Sequence, residues 1–371
     1  MKKDKGNRSF IGRLVVFVLS LLAMLGVVCM AMSVLSSHVD PKRFVWLAYF
    51  GLAFWAILFY NLVIFGLLLL LWSRRIKIAI MALIVAIPGI INSFSVGKTQ
   101  EGGDLRLMTY NLHNFSYLDP EKTPLETAEI IAAMVNEHHP DVLCIQEYSN
   151  FNTKISRKDC VAQLGEMVGL PYASYNAKSS FGGNVILSRY PLSAVEDEGD
   201  FGKENQYGTI AVVDAGEKGT FTVVCCHLTS YQITDKEIGA LSDKDNSKEE
   251  MKTYGKSIIA KLKAAFERRS DEVAKMLGDI PHDGTAIILC GDMNDTPLSY
   301  TYHQIKKAGF NDGFVKAGRG IGHTYAGKLP LLRIDYIWGN EQIQPMAFRR
   351  LKVKGSDHYP VMMDFNVSHG F

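Results

Sequence analysis

Three long apolar runs dominate the first hundred residues. The runs at 14–35 and 44–72 contain no charged residue, and a shorter run at 78–94 contains Pro88 and Gly89. A helix needs about 20 apolar residues to cross the hydrocarbon core of a bilayer. The pattern therefore predicts a membrane anchor over residues 1–95 with about three transmembrane helices, at 14–35, 47–72 and 78–94.

Beyond a polar linker at 96–104, short apolar strands alternate with amphipathic helices. The pattern predicts strands at 105–111, 141–147, 184–188, 208–214, 220–228, 285–292, 333–338 and 361–367, and helices at 125–138, 159–168, 250–278 and 299–308. Several strands follow one another with few crossover helices, which favours two packed sheets with helices outside over one doubly wound sheet. The polar segment 231–256 carries no strand signal and is predicted to be a surface insertion.

The charges divide along the same boundary. The first 100 residues hold 11 basic and 2 acidic side chains, whereas the remaining 271 hold 29 basic and 36 acidic ones. An acidic body argues against a protein that grips nucleic acid mainly through a basic surface. The composition also excludes a disordered, collagen-like or disulfide-dense chain.

Basic residues flank the apolar runs unevenly, and this sets the expected orientation. They cluster before the first run and between the second and third, at Lys2, Lys3, Lys5, Arg8, Arg13, Arg74, Arg75 and Lys77. Basic flanks stay in the cytoplasm, so three crossings place the body outside it. If the third run only lies at the interface, the body is cytoplasmic. A cleaved signal peptide is an alternative for the first run, but that run is longer than a usual signal sequence.

Polar residues recur at the ends of the buried strands in the body. They are Asn111, Glu147, His227, Asp292 and Asn294, joined by Asp335 inside a strand and by Asp357 and His358 just before the last one. Any one of them alone is typical of a turn or of a satisfied core residue. Eight such groups in order along one domain indicate a shared catalytic rim.

Carboxylate and amide oxygens suit a hard cation such as Mg²⁺, whereas no Cys/His spacing indicates zinc. The six cysteines are expected to be small buried residues, with Cys225 and Cys226 on opposite faces of one strand. An Asp335–His358 pair would fix the imidazole tautomer and raise its basicity. Together these groups provide what metal-assisted phosphoester hydrolysis needs.

The ordered blocks resemble the endonuclease/exonuclease/phosphatase superfamily, the DNase I-like fold, over about residues 105–371. They read LMTYNLHNF, DVLCIQEY, GGNVILSRYPL, VVCCHLTS, ILCGDMNDTP, RIDYIW and GSDHYPV. The resemblance implies an α/β fold, a four-layered α/β sandwich in which two packed mixed sheets carry outer helices, preceded in this chain by the transmembrane helices.

The resemblance also implies roles for the rim residues. Asn111, Glu147 and Asp357 are expected at the metal end, with Glu147 as the main Mg²⁺ ligand and Mn²⁺ as an alternative ion. His227, Asp292, Asn294, Asp335 and His358 are expected to be catalytic. Either Asp292 or the Asp335–His358 pair could be the general base. His113 could reach the same rim, and His323 resembles part of a substrate-side loop.

The expected function is a membrane-anchored, Mg²⁺-dependent hydrolase of a phosphodiester or phosphomonoester. The substrate could be a nucleic acid, a phospholipid head group or a sugar phosphate, and no obligate protein partner is evident. A sphingomyelinase-like head-group hydrolase is one alternative. A tethered binding protein that keeps the fold without turnover is the other.

Overall fold

The computed structural model of the protein describes residues 10–97, 102–116, 121–175, 183–194, 208–242, 247–281, 283–327, 331–353 and 355–368. Contacts between residues divide the chain into two compact units. One unit holds the chain up to Asn92 with Leu298–Tyr300, and the other holds Ser93–Pro297 with Thr301–Phe371. The first unit is helical, and the second contains the sheets.

The described part of the first unit forms six helices. They are α1 (Phe10–Leu35), α2 (Pro41–Phe44), α3 (Trp46–Leu52), α4 (Phe54–Leu70), α5 (Ile76–Val85) and α6 (Ile87–Ser93). Among the described residues, α1 is the one helix that by itself is long and apolar enough to cross a membrane. The pairs α3–α4 and α5–α6 reach that length only when each bent pair counts as one span, which gives up to three.

Neither 47–72 nor 78–94 is one continuous helix. The α3–α4 pair bends by 68° and the α5–α6 pair by 45°. Pro88 explains the second bend, because proline has no N–H and its ring clashes with the carbonyl one turn earlier. Gly51 lies just before the first bend, at Ala53, and glycine is a weak helix former. The basic N-terminal residues before Phe10 lie outside the described residues.

Most strands of the second unit belong to two six-stranded sheets. The strands are β1 (Ser95–Val96), β2 (Leu105–Asn111), β3 (Val142–Tyr148), β4 (Tyr172–Tyr175), β5 (Gly183–Ser188), β6 (Leu192–Ala194), β7 (Gly208–Asp214), β8 (Thr220–His227), β9 (Ala286–Asp292), β10 (Asn311–Asp312), β11 (Arg319–Gly320), β12 (Asp335–Gly339), β13 (Ile343–Arg350) and β14 (Val361–Val367). Sheet I has the order β10-β12-β9-β8-β7-β6, and sheet II has the order β13-β14-β2-β3-β5-β4. The short strands β1 and β11 pair with each other, antiparallel.

Each large sheet is mixed and contains one parallel pair. In sheet I the parallel pair is β8 with β9, and in sheet II it is β2 with β3. The carboxyl ends of parallel neighbours lie at the same edge of a sheet. These two pairs therefore bring four strand ends to one rim of the unit.

Helices cover the outer face of each sheet. They are α7 (Pro124–His138), α8 (Arg157–Val168), α10 (Lys248–Asp279) and α11 (Tyr300–Lys307), whereas α9 (Asp235–Ser242) lies against α10 and α12 (Gly313–Ala317) packs into the cluster between the sheets. Residues of both sheets share one buried cluster, for example Leu107, Cys144, Val223 and Ile288. A second cluster joins sheet II to α7 and α8, and a third joins sheet I to α10 and α11. The predicted four-layered α/β sandwich is confirmed.

The two adjacent cysteines show how strand periodicity builds these layers. Cys225 lies in the cluster between the sheets, and Cys226 lies in the cluster between sheet I and its helices. The predicted opposite orientation is confirmed, and all six cysteines are free thiols.

The apolar strands lie where they were predicted, to within one or two residues. The prediction missed β4, β6 and β13, together with the two-residue strands. Strand β13 contains Pro345 beside a bulge and has an irregular burial pattern, so it shows no clean alternation. Among its described residues, the predicted insertion 231–256 contains α9 and the start of α10, and the first turn of α9 is capped by the Thr234 and Glu237 side chains.

Candidate active site

One row of side chains crosses the edge of sheet I on three neighbouring strands. Asp292 at the end of β9 lies directly opposite His227 of β8 and opposite Asp335 of β12. Side chains at such positions project from the same face of a sheet. The register therefore places an imidazole, a carboxylate and a second carboxylate side by side.

A glycine permits the close approach of β8 and β9 next to this row. Gly291 has φ +128°, in the region that favours glycine, and a Cβ there would collide with the carbonyl oxygen of Cys226. Any larger residue would strain the backbone immediately before Asp292. The close approach of β8 and β9 therefore explains why a glycine precedes Asp292.

His358 completes a buried group with the two carboxylates. Its Nδ1 lies 2.9 Å from Oδ2 of Asp335, and its Nε2 lies 3.6 Å from Oδ2 of Asp292. Asp292 and Asp335 are each 1% exposed and His358 is 5% exposed. Because Nδ1 is held by Asp335, Nε2 is the ring nitrogen that faces Asp292.

Burial and charge shift the acidities of this group in a linked way. Burial raises the pKa of Asp292, and the neighbouring Asp335 carboxylate adds to the effect. Burial alone would lower the pKa of His358, but the charges of Asp335 and Asp292 outweigh it and raise the pKa to about 10. In the metal-free protein the His358 ring is therefore protonated on both nitrogens, with Nδ1 facing Asp335 and Nε2 facing Asp292.

Backbone and side-chain contacts fix the orientation of the pair. The hydroxyl of Thr324 accepts hydrogen bonds from the backbone N–H groups of Ile334 and Asp335, at 3.0 and 3.1 Å. The hydroxyl of Ser356 accepts from the His358 N–H at 3.2 Å. The Tyr325 ring packs edge-on against the His358 ring, with centroids 5.6 Å apart.

Asn111 connects the two sheets at the rim. Its Nδ2 donates to Oε1 of Glu147 and to Oδ2 of Asp292, both at 3.0 Å. Its Oδ1 accepts from the His113 N–H at 3.0 Å. The amide thus holds one carboxylate of sheet II and one of sheet I at the same point.

Glu147 reaches this point because β3 is irregular there. The pairing of β3 with β5 shifts between Ile145 and Tyr148, and Glu147 has φ +51°. A bulge redirects the side chain of the extra residue. Glu147 consequently projects to the rim next to Asn111, which strand alternation alone would not predict.

Asn294 closes the ring of donors around Asp292. Its backbone N–H donates to Oδ1 of Asp292 at 2.8 Å, and its Nδ2 lies 3.2 Å from Oδ2. The same Nδ2 donates to the carbonyl of Leu228 at 3.0 Å. The φ of +50° at Asn294 makes this turn possible, since asparagine tolerates the left-handed region.

His227 faces both carboxylates without bonding to either. Its Nε2 lies 3.6 Å from Oε1 of Glu147 and 3.8 Å from Oδ2 of Asp292. This buried nitrogen has no hydrogen-bond partner among the described residues. A buried ring nitrogen without a partner is costly unless a ligand satisfies it.

His113 and Asp357 extend the site on the side of sheet II. Nδ1 of His113 lies 3.3 Å from Oδ1 of Asp357 and 3.7 Å from Oε2 of Glu147. The structure thus brings all eight predicted residues, together with His113, to one rim. The roles assigned to them by resemblance remain a proposal.

Sequence reasoning missed Asn114. Its Nδ2 lies 3.4 Å from Oε2 of Glu147, and its Oδ1 accepts from Ser149 at 2.6 Å. His113, Asn114 and Phe115 have φ values of 43°, 57° and 57° in succession. Backbone in this strained conformation is common at functional sites. Asparagine tolerates the left-handed region, so Asn114 was the one sequence signal for it.

The donor set between Glu147 and Asp357 fits a divalent cation. The two carboxylates face the same His113 nitrogen, and their side chains are 22% and 17% exposed, so solvent reaches them. Carboxylate oxygens with room for water are the ligands that Mg²⁺ takes. Asn111 points its NH₂ group, and not its amide oxygen, towards Glu147 and Asp292. Its amide therefore orients Glu147 and does not act as a metal ligand in this geometry.

A second grouping could also hold an ion. One ligand atom each from Asp292, Asp335 and His358 lies within 4.8 Å of the others, and all three residues are buried. Nδ1 of His358 and the Asp335 carboxylate are already joined by a hydrogen bond. The Glu147–Asp357 position is therefore the better candidate for a cation, and the buried trio suits proton handling.

A cleft of about 790 Å³ opens beside this rim. His113, Glu147, Asp292, Asn294, Asp357 and His358 line one part of it. The rest is mainly apolar and aromatic, with Tyr231, Ile233, Ile238, Tyr325, Leu332 and Ile334. The polar end would meet a reacting group, and the apolar part would meet the remainder of a ligand.

The wall of the cleft at residues 229–238 is held by α10 at two points. At the first, Arg269, which is fully buried, donates to the carbonyl of Thr229 at 2.8 Å and to Asp295 at 3.2 Å. At the second, Lys261 bonds both oxygens of Glu237 at 2.8 Å. The Lys261 ammonium, with the Thr234 backbone, lowers the pKa of Glu237 to about 2.

Comparison with known proteins places the chain in a family. Residues 108–358 match the model of the Endonuclease/Exonuclease/phosphatase family, and the chain belongs to that family. Its members are phosphoester hydrolases, so the predicted class of protein is confirmed. Residues 13–94 match a second model, described as a Domain of unknown function (DUF8431). No curated protein sequence matches the chain significantly.

Solved structures similar to this chain include three of low sequence identity. An endonuclease/exonuclease/phosphatase from Beutenbergia cavernae is 18% identical over 72% of each chain, with a TM-score of 0.47. A mannosyl-6-phosphatase from Bacteroides thetaiotaomicron is 16% identical over 71% of this chain and 99% of its own, with a TM-score of 0.44. The human Nocturnin catalytic domain is 14% identical over 72% and 94%, with a TM-score of 0.46.

The raised pKa of His358 can be tested directly. Replacing Asp335→Asn removes the nearest negative charge, so we expect the pKa of His358 to fall from about 10 towards its usual value near 6.5. The measurement is an NMR titration of histidine-labelled, metal-free full-length protein in detergent. Asp357→Asn is the matched control, since Asp357 contributes least among the charges that raise this pKa. Equal shifts in both variants would contradict the assigned pairing.

Proposed function

We propose that this protein is a membrane-anchored, Mg²⁺-dependent phosphoesterase. The observation that carries the proposal is the convergence on Asp292 of donors from both sheets. Asn111 and Asn294 bond its carboxylate, while His227 and His358 face it at 3.8 and 3.6 Å. An anionic group among amide and imidazole donors, next to a second pair of carboxylates, provides the components for metal-assisted hydrolysis of a phosphoester.

The metal end consists of Glu147 and Asp357, with Asn111 as the residue that orients Glu147. Mn²⁺ could replace Mg²⁺ in an oxygen-rich site of this kind. When bound, the ion supplies a Lewis acid that offsets charge on a phosphoryl oxygen. The protein's own contribution at this end is to bring the two carboxylates to the same His113 nitrogen, Glu147 through the bulge of β3 and Asp357 from the segment before β14.

The remaining residues bind the phosphoryl group and move protons. His227 offers its unpartnered Nε2 to a phosphoryl oxygen. Asn294, whose Nδ2 bonds Leu228 and Asp292, holds the Asp292 carboxylate next to that group. Asp292 would orient the water that attacks phosphorus and receive its proton. His358, oriented by Asp335 and protonated in the metal-free protein, stabilises the charge that develops on the phosphoryl oxygens.

The catalytic roles predict different defects for two substitutions. His358→Ala should lower kcat by roughly 10²–10⁴-fold while leaving the Mg²⁺ requirement unchanged, because the ring acts on protons and charge. Glu147→Gln should raise the Mg²⁺ concentration needed for half-maximal activity. Both effects are measured by hydrolysis of bis(p-nitrophenyl) phosphate with Mg²⁺, and with EDTA as the metal-free reference.

Glu166→Gln on the exposed surface of α8 is the matched control for loss of a carboxylate. It should leave both quantities unchanged. Equal, small losses for His358→Ala and Glu147→Gln would contradict the separate roles of the two residues. Binding of the ester without turnover in wild-type protein would favour the tethered binding protein instead.

A phospholipid head-group hydrolase is the second candidate, and the apolar part of the cleft favours it. Ile233 and Ile238 on one wall face a cavity also lined by Leu332 and Ile334. Such a surface stabilises an apolar group attached to the phosphate. A lipid substrate also fits an enzyme held at a membrane.

Ile238→Glu separates the two substrate classes. A carboxylate in the apolar wall should reduce kcat/KM for sphingomyelin or phosphatidylcholine in micelles by about ten-fold or more, since burying it is costly. Hydrolysis of soluble glycerol phosphate should not change. Ile238→Leu, which keeps the wall apolar, serves as the control. Equal losses on both substrates would argue against a lipid-specific wall.

We also propose that the second unit lies outside the cytoplasm. The support is the excess of basic residues before the first span and at Arg74, Arg75 and Lys77. A pair of C-terminal fusions tests this, one to a reporter active only in the cytoplasm and one to a reporter active only outside it. Activity of the cytoplasmic reporter alone would overturn the orientation and would indicate that the α5–α6 segment does not cross.

A further inference from the structure

A second cavity lies in the sheet-containing unit, away from the catalytic rim. It has a volume of about 510 Å³ and, among the described residues, shares no lining residue with the active-site cleft. Three phenylalanines, Phe94, Phe314 and Phe348, contribute its apolar surface. Arg319, His323 and Arg350 contribute its polar groups, and its described lining contains no carboxylate. We name it the basic pocket.

The positive charge of this pocket is not neutralised by the described part of the protein. Arg350 bonds His323 through Nη1, at 2.9 Å to the ring Nε2 and 3.3 Å to the carbonyl oxygen, and its guanidinium lies 4.7 Å from the Tyr359 ring centroid. Arg319 is exposed. Within the described ranges, neither arginine forms an ion pair with a carboxylate. Two guanidinium groups and aromatic side chains that line the same cavity fit an anion that carries an apolar part.

The state of His323 is consistent with this arrangement. Burial lowers the pKa of His323, and the nearby charges of Arg350 and Lys352 lower it further. A neutral ring accepts the hydrogen bond from Arg350 and leaves the guanidinium charge in place. The pocket therefore retains the two arginine charges at neutral pH.

One residue of the pocket lining directly follows the last apolar helix in the chain. Phe94 follows directly after Ser93, the last residue of α6, and the next strand, β1, pairs with β11 so that Val96 lies opposite Arg319. Phe94 and Val96 are 43% and 82% exposed. The pocket-lining residue Phe94 is therefore covalently adjacent to the last residue of the last apolar helix.

We propose that the basic pocket binds the phosphate of an anionic phospholipid at the membrane surface. Arg319 and Arg350 contact the phosphate, and Phe94, the exposed phenylalanine of the lining, contacts the glycerol and the first acyl carbons. Aromatic and basic residues are enriched at this level of membrane proteins. The site is separate from the proposed active site, and it rests on the proposed membrane anchor but not on the proposed catalytic activity.

A soluble phosphate offers the same charged group, so the experiment must distinguish the two sources. Full-length protein in a neutral detergent is mixed with dioleoyl phosphatidylglycerol or with dioleoyl phosphatidylcholine, and bound lipid is counted by native mass spectrometry over a concentration series. Parallel samples contain inorganic phosphate or glycerol 3-phosphate as competitors. The readout is binding, so it does not depend on turnover.

We expect phosphatidylglycerol to bind more tightly than phosphatidylcholine. Arg319→Gln should weaken phosphatidylglycerol binding roughly five-fold, the effect of one basic residue at an anionic membrane surface, with no change for phosphatidylcholine. Arg350→Gln should weaken it at least as much. Lys158→Gln, which removes an exposed charge on α8, is the control and should change neither.

Two outcomes would overturn the proposal. Equal binding of phosphatidylglycerol by wild type and Arg319→Gln would show that the pocket does not hold the lipid. Competition by inorganic phosphate or glycerol 3-phosphate at micromolar concentrations would identify the ligand as a soluble phosphate. Should Arg350→Gln fail to fold because it loses the bond to His323, the exposed Arg319 decides the question alone.

Discussion

The carboxylate of Asp292 is almost fully buried, and a buried anion is costly unless polar groups surround it. Asn111 and Asn294 donate hydrogen bonds to it. The His358 ring faces it through Nε2, while Nδ1 of the same ring bonds Asp335. The position of each of these residues is therefore explained by its interaction with the Asp292 carboxylate. Removing the charge would leave several donors without an acceptor, so the arrangement is mutually dependent.

The two sheets contribute unequally to this arrangement. Sheet I supplies the row His227, Asp292 and Asp335 through simple register, whereas sheet II supplies Asn111 at a strand end and Glu147 through a bulge. The amide of Asn111 is the hydrogen-bonded link between the carboxylates of the two sheets. The rim is consequently rigid in sheet I and more dependent on local backbone geometry in sheet II.

Sequence predicted much of this because apolar alternation is strong in the buried strands. The ends of β2, β8 and β9 were evident, since each stops at a polar residue. Period-two alternation could not place Glu147, because a bulge follows from pairing with a partner strand. Strand β13 was missed because Pro345 and exposed polar residues hide its pattern, and its pairing with β14 is a tertiary contact.

Contacts formed through distant parts of the chain account for the other omissions. Asn114 reaches Glu147 only because three residues adopt left-handed backbone conformations, which sequence does not encode strongly. The bends in the apolar segments illustrate the same limit. Hydropathy measures length and composition, whereas the break before Pro88 depends on one missing hydrogen-bond donor.

The wall of the cleft and the reacting groups are carried by different elements. Residues 229–238 are suspended from α10 by Arg269 and by the Lys261–Glu237 pair, whereas the carboxylate row belongs to β9 and β12. The donors to the Asp292 carboxylate are Asn111 and Asn294, so substitutions within residues 229–238 change the wall without removing a donor to that carboxylate. Related proteins with this arrangement can therefore differ in the substrate that the cleft wall selects while they keep the same proposed catalytic residues.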